Sequence, residues 1–94
     1  MMKSAMAKHI LVKTKAEAEQ LKEKLAQGND FAKLARQQSL CPSKKRGGDL
    51  GEIFPGQLVK AVEQVIFKKE LHKVQGPVKS KFGFHLIITY FRDK

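Results

Sequence analysis

The sequence is poor in several residue types: its 94 residues include no tryptophan, one tyrosine and a single cysteine. One cysteine excludes an internal disulfide, so nothing requires an oxidising compartment and we expect a cytoplasmic protein. No apolar run approaches the roughly 18 residues that a membrane-spanning helix needs. The start MMKSAMAKHIL also lacks the apolar core of an export signal. We therefore expect a soluble monomer that is not exported and does not bind membranes.

Acidic residues are scarce as well. Nineteen Lys and Arg against nine Asp and Glu give a net charge of +10, which favours attraction to nucleic acid or acidic clients. The only basic cluster is Lys44, Lys45 and Arg46, and no aromatic residues alternate with it as they do in single-strand-binding sites. We interpret the cluster as a solvated loop and expect only weak, non-specific nucleic-acid binding.

Length and composition indicate one small globular domain, with 41% apolar and 30% charged residues. We predict a single domain over residues 8–92, preceded by a flexible N-terminal segment, residues 1–7. A domain of this size has one core, so any active site should be a shallow groove on that core.

Residue patterns predict an α+β domain. HILVK (9–13) is typical of a buried strand, and TKAE places Thr14 and Glu17 as a capping box that begins a helix. A second helix should begin after Asn29 or Asp30. The later predicted elements are a loop (39–48), a short strand (49–54), a third helix (57–67), an edge strand (77–80) and a long central strand (82–91).

Three polar residues in apolar surroundings could carry chemistry: His9, Cys41 and His85. A lone histidine among aliphatic residues is more often structural than catalytic, but paired strands would allow one imidazole to donate to the other. A cysteine hydrolase also needs an orienting group and a cleft, which Cys41 and a histidine do not supply. We expect no metal site, because the sequence shows no close ligand spacing and no fourth ligand.

The glycines around Leu50 indicate a tight backbone approach. Gly47, Gly48 and Gly51 lack the order that cradles phosphates in nucleotide-binding loops. We expect these glycines to let the backbone turn sharply against the sheet. We expect Leu50 at the rim of a groove whose other walls are the third helix and the last strand.

Four segments together resemble the parvulin family of peptidyl-prolyl cis/trans isomerases: HILVK, LCPSKKRGGDLGEI, PGQLVKAV and GPVKSKFGFHLII, within about Lys8 to Arg92. The resemblance implies a parvulin/FKBP-like α+β fold, a four-stranded antiparallel sheet surrounded by about four helices, one a short turn near Cys41. It also implies an enzyme that accelerates rotation about X-Pro bonds in protein clients, assists folding and needs no cofactor.

The resemblance also implies the roles of individual residues. His9 and His85 would form the floor of the site and face Cys41, while Leu50, Leu58 and Val62 would form the proline pocket, with Phe82 beside it. Rotation breaks no bond, so we expect a dry apolar pocket to matter more than a strong base, and Cys41 to be a polar wall rather than a nucleophile.

Some positions depart from the family pattern. Val62 stands where phenylalanine is common, and losing an aromatic ring from a proline pocket removes about 1 to 3 kcal/mol of binding. Ile53 also stands where an aromatic residue is usual, with Phe54 next to it. Leu58 stands where methionine is frequent, a change of similar volume. We therefore expect a looser pocket; the alternative is a weakly active or inactive module that binds proline segments or nucleic acid.

Phosphate-directed members of the family carry a basic cluster in a long loop after the first strand. Here that connection is little more than Lys13, Thr14 and Lys15. We therefore predict no strong requirement for phosphorylated clients.

Overall fold

The structure, a computed structural model, describes residues 3–93 of the chain. One four-stranded antiparallel sheet has the strand order β2-β1-β4-β3. Its strands are β1 (Ala5–Val12), β2 (Asp49–Ile53), β3 (Val74–Ser80) and β4 (Gly83–Arg92). The helices are α1 (Lys15–Ala26), α2 (Phe31–Gln38), α3 (Lys60–Lys68) and a short 3₁₀ helix, Pro42–Arg46. The predicted α+β class and order of elements are confirmed, with β4 central and β3 at an edge.

Helices cover both faces of the sheet, and alternation along the strands decides which side chains each face receives. Beneath α1 and α2 lies one core cluster of buried residues: Ile10, Val12, Ala18, Leu21, Leu34, Ala35 and Leu86. Beneath α3 lies the other: Ala5, Ala7, Ile53, Val62, Val65, Ile66 and Ile87. His9 and His85 alternate with Ile10 and Leu86, so both imidazoles lie on the α3 face.

Side-chain caps begin the first two helices, as the sequence predicted. The hydroxyl of Thr14 accepts from the Glu17 amide at 3.2 Å and donates to the Glu17 carboxylate at 2.9 Å. For α2, the Asp30 carboxylate accepts from the Lys33 amide at 3.2 Å, so Asp30 rather than Asn29 is the cap. These bonds satisfy amides that a helix cannot pair internally.

The predicted flexible segment, residues 1–7, is wrong over its last three residues. Strand β1 begins at Ala5, and the side chains of Ala5 and Ala7 are fully buried beneath α3. Alanine is too small to give a hydrophobic signal, although it fits where a helix packs closely on a sheet. Residues 1 and 2 lie outside the described residues.

Three element boundaries also differ from the predictions. The predicted loop 39–48 contains the 3₁₀ helix, and β3 begins at Val74 rather than at residue 77. Helix α3 begins at Lys60, because Val59 before it is extended, with φ −59° and ψ 145°. Leu58 therefore precedes α3 instead of lying on its buried face. No helix within residues 3–93 is long and apolar enough to cross a bilayer.

Candidate active site

A groove with a volume of about 650 Å³ opens on the α3 face of the sheet. Every residue that the sequence predicted for the site lines it: His9, Cys41, Leu50, Leu58, Val62, Phe82 and His85. The structure thus brings together side chains from β1, β2, α3, β4 and the loops that follow α2, β2 and β3. Their roles in catalysis or binding stay predictions.

The two histidines form the floor of the groove as a contacting pair. In the β1–β4 register, Leu11 lies opposite His85 and Ile87 lies opposite His9, so the histidines are diagonal neighbours on one face. Their Nδ1 atoms are 3.3 Å apart, and their rings stack with centroids 5.4 Å apart and planes 18° from parallel. One Nδ1–H therefore donates to the other Nδ1.

Ser80 extends this pair into a chain of hydrogen bonds. Its hydroxyl oxygen lies 2.6 Å from His85 Nε2 and accepts from the Phe82 amide at 3.1 Å. A neutral imidazole donates through one nitrogen and accepts through the other, so the proton positions of Ser80, His85 and His9 are coupled. Among the described residues, His9 Nε2 is buried without a partner at the end of this chain.

Burial keeps both imidazoles uncharged at neutral pH. Loss of hydration, and secondarily repulsion from His85, lowers the pKa of His9 from 6.5 to about 4. Burial also lowers the pKa of His85. The floor of the groove is consequently polar but neutral, and neither histidine is a source of positive charge at pH 7.

Backbone contacts with β1 hold Cys41 at the groove. The Ser39 hydroxyl accepts from the amides of Leu11 and Cys41, at 3.1 and 3.3 Å, and the Leu40 amide donates to the Leu11 carbonyl at 2.8 Å. Cys41 is half-buried in the lining. Among the hydrogen bonds of residues 3–93, none joins its thiol to His9 or His85. Cys41 therefore lines the groove without a base bonded to its thiol.

The glycine loop, residues 47–51, makes the predicted close backbone approach, and the strand that it approaches is β1. Gly48 has φ +85°, and its carbonyl accepts from the His9 amide at 2.9 Å. A Cβ on Gly48 would lie 2.5 Å from the His9 carbonyl oxygen. Beyond the glycines, the Asp49 carboxylate accepts from the Gly51 amide and the Tyr90 hydroxyl, each at 2.9 Å. These contacts fix the backbone that presents Leu50 to the groove.

Apolar side chains form the walls and the rim. Val62 is only 2% exposed, because it belongs to the core beneath α3 as well as to the groove. Leu50 and Leu58 are half-buried against the same core. Leu40 and Phe82 are 59% and 57% exposed, which is unusual for large apolar side chains. Their exposure at the rim leaves apolar surface free for a ligand.

Several residues of the site were missed by the sequence analysis. Leu40, Val59 and Lys81 also line the groove, and Ser80 binds His85. Ser80 could have been found from the hairpin, because Val78 lies opposite His85 and side chains two residues apart share a face. Among residues 3–93, no three His, Cys, Asp or Glu side chains could hold a metal ion together.

Comparison with known proteins gives one consistent family. Residues 2–89 match the family described as rotamase, PPIC-type PPIase domain. Foldase protein PrsA 4 of Bacillus cereus is 50% identical over 80 residues, which cover 84% of this chain and 29% of that protein. Foldase protein PrsA of Geobacillus sp. is 49% identical, over 86% of this chain and 30% of its own length. The chain thus spans under a third of these curated relatives.

Solved structures agree. PrsA from Bacillus anthracis superposes with a TM-score of 0.94 at 34% identity, covering 99% of this chain and 43% of that one. NmPin, the parvulin of Nitrosopumilus maritimus, matches nearly end to end: 39% identity, a TM-score of 0.84, and coverage of 93% of this chain and 95% of that one. The chain belongs to the PPIC-type peptidyl-prolyl isomerase domain family, the parvulins, as the resemblance in its sequence implied.

Proposed function

We propose that this domain catalyses cis/trans isomerisation of X-Pro peptide bonds in polypeptide clients and thereby assists their folding. The main support for this proposal is the apolar groove, whose floor is a neutral, buried pair of histidines. Family membership and the foldase relatives support the same activity.

Rotation about an X-Pro bond requires only a surface that binds the twisted amide more tightly than the planar one. Amide resonance raises a rotation barrier of about 18 to 20 kcal/mol, and a ~10⁵-fold acceleration requires about 7 kcal/mol of preferential transition-state binding. The planar amide is charge-separated, whereas the twisted amide is less polar. Walls formed by Leu50, Leu58 and Val62 therefore disfavour the planar form and grip the proline ring.

The polar side chains of the groove, His9, His85 and Cys41, would support the isomerisation without forming a bond to the client. Because His9 and His85 are neutral at pH 7 and bonded to each other, the floor of the groove places no charge beside the amide. Within residues 3–93 the Cys41 thiol has no bonded base, as an activated nucleophile would need. We therefore assign Cys41 to the polar wall of the groove.

A protease-coupled assay on Ala-X-Pro-Phe peptides tests the proposal. We expect acceleration for several residues X, and Leu58→Ala should lower kcat/KM about tenfold, since it removes apolar contact with the proline. Leu25→Ala is a matched control, because Leu25 is also half-buried but lies on α1, where it packs against the core cluster on the opposite face of the sheet. It should leave kcat/KM unchanged. No acceleration for any X would overturn the proposed function.

We also propose that phosphorylation of the client is not required. The connection from β1 to α1 consists of Lys13 and Thr14, with no loop that could present a basic cluster. Matched phosphorylated and unphosphorylated Ser-Pro peptides should be turned over within about tenfold of each other. A preference of a thousandfold for the phosphopeptide would contradict this.

Cytoplasmic localisation and a monomeric state are proposals too, supported by composition: a single cysteine and a high net charge. Cell fractionation and light scattering on the purified chain test them. A dimer, or recovery outside the cytoplasm, would contradict the respective statement.

A further inference from the structure

Charge is distributed unevenly in the groove. Lys81 lines it, and neither aspartate nor glutamate is among the lining residues. The two histidines of the floor are neutral at pH 7 because burial lowers their pKa. Lys81 is thus the formal charge that a bound client would meet in this lining.

The position of Lys81 leaves its ammonium group available. Lys81 and Phe82 form the short turn between β3 and β4, and the Lys81 Nζ atom lies over the Phe82 ring, 5.2 Å from its centroid. The ion pairs among residues 3–93 are Lys15–Glu19 and Lys73–Glu70. Lys81 therefore has no carboxylate partner within the described chain, while the aromatic ring holds its charge at the rim.

The surface around the groove is also positively charged. The exposed Lys44 and Lys45 follow Pro42, which also lines the groove. The whole chain carries a net charge of +10. A positive potential at a cleft concentrates anionic segments and disfavours cationic ones.

We propose that Lys81 is a specificity-determining residue that favours client segments with aspartate or glutamate next to the proline. The inference rests on the proposed function, which seats the proline ring on the apolar walls of the groove. A flanking residue then reaches the rim, where its carboxylate can pair with the Lys81 ammonium. A flanking lysine meets the same ammonium and is disfavoured.

The expected effect is a preference, not a requirement. Lys81 offers one flexible ammonium at an exposed rim, without the fixed fork of an arginine cluster. Pairs of this kind change affinity by about three- to fivefold and weaken with salt. This range is compatible with turnover of uncharged clients.

Peptide titrations followed by amide NMR test the inference through binding, and exchange spectroscopy on the same samples follows isomerisation. The probes are Ala-Glu-Pro-Phe, Ala-Gln-Pro-Phe and Ala-Lys-Pro-Phe, with Ala-Ala-Pro-Glu and Ala-Ala-Pro-Gln for the other side of the proline. For at least one side, the wild type should bind the Glu peptide about three- to fivefold more tightly than the Gln peptide. High salt should shrink that ratio.

Variants attribute the preference to Lys81. In Lys81→Gln the Glu:Gln ratio should fall to about 1, and in Lys81→Glu it should invert. Lys33→Gln is the matched control: it removes the same charge from an exposed position on α2, outside the groove lining. Its ratio should equal that of the wild type.

Equal affinities for Glu and Gln peptides on both sides of the proline would overturn the inference, as would a ratio unchanged by Lys81→Gln. Failure of the proposed function gives a different result. Charge-selective binding without accelerated exchange would refute the isomerase activity and support the role of Lys81. Accelerated exchange without charge preference would refute only the role of Lys81.

Discussion

The buried histidines of the groove also affect the stability of the fold, because their protonation depends on folding. Folded His9 has a pKa of about 4, whereas an unfolded histidine titrates near 6.5. Between these values the unfolded chain binds more protons than the folded chain. The contribution of His9 to the free energy of unfolding is therefore fully present above pH 6.5 and is lost as the pH falls towards 4.

This predicts that His9 alone costs the fold about 3 kcal/mol of unfolding free energy between pH 7 and pH 4. Urea unfolding at several pH values measures the loss, and His9→Asn should reduce it. NMR titration of the His9 ring gives the pKa directly. A His9 pKa near 6.5, or an unchanged pH dependence in the variant, would contradict the account.

Two neighbouring apolar residues should separate packing from binding. Val62 is 2% exposed within the core beneath α3, whereas Leu58 precedes α3 and is half-buried at the groove. We expect Val62→Ala to lower the unfolding free energy by about 1 to 3 kcal/mol. Leu58→Ala should cost less, although leucine loses more atoms. Urea unfolding of both variants measures the difference, and the reverse order would refute this division of roles.

At the scale of elements, the glycine loop positions the site through β1. A Cβ on Gly48 would lie 2.5 Å from the His9 carbonyl oxygen and 3.2 Å from the Ala35 side chain, so backbone must move. Gly51 also has a positive φ, +69°, but a Cβ there would meet nothing within 4 Å. The two glycines form a matched pair, with the same conformational demand and different surroundings.

We predict that Gly48→Ala destabilises the fold by about 2 to 4 kcal/mol, and Gly51→Ala by about 1 kcal/mol. Gly48→Ala should also shift the His9 resonances, because the collision is with the His9 backbone. Urea unfolding and NMR spectra of both variants provide the measurement. Equal destabilisation would show that the close approach to β1 does not matter.

Elements were predictable wherever local chemistry decides them. The Thr14–Glu17 capping box and the long strand predicted at 82–91 rest on short-range signals, and both predictions are confirmed. The start of β1 was missed because Ala5 and Ala7 are buried only through the helix above them. The start of α3 was also misplaced. The turn before it is held by the Gln57 side chain, which accepts from the Phe54 amide at 2.9 Å.

The residues of the site also fall into two groups, those that the sequence predicted and those that it missed. Residue types and motif order were enough to name the histidines, Cys41 and the apolar walls that line the groove. Ser80 was missed because its contact with His85 depends on strand register. Leu40 and Lys81 were missed because sequence patterns do not reveal which exposed side chains lie at the rim of a groove.

At the scale of the whole molecule, the net charge of +10 should act through long-range attraction. We expect weak binding to a single-stranded oligonucleotide, falling about tenfold between 50 and 200 mM salt. Turnover of an uncharged peptide should not change over that range. Fluorescence anisotropy and the isomerase assay measure the two effects. Tight, salt-insensitive binding would indicate a dedicated nucleic-acid site instead.

The groove lies on the α3 face of the sheet, and we propose that it accelerates rotation about X-Pro bonds without a covalent bond to Cys41. Exchange NMR on a Pro peptide, with wild type and Cys41→Ala, tests it most directly. We predict clear acceleration by the wild type, and at least about a tenth of it in the variant, since losing a true nucleophile costs a thousandfold or more. No acceleration by the wild type, or an uncatalysed rate in Cys41→Ala, would contradict the claim.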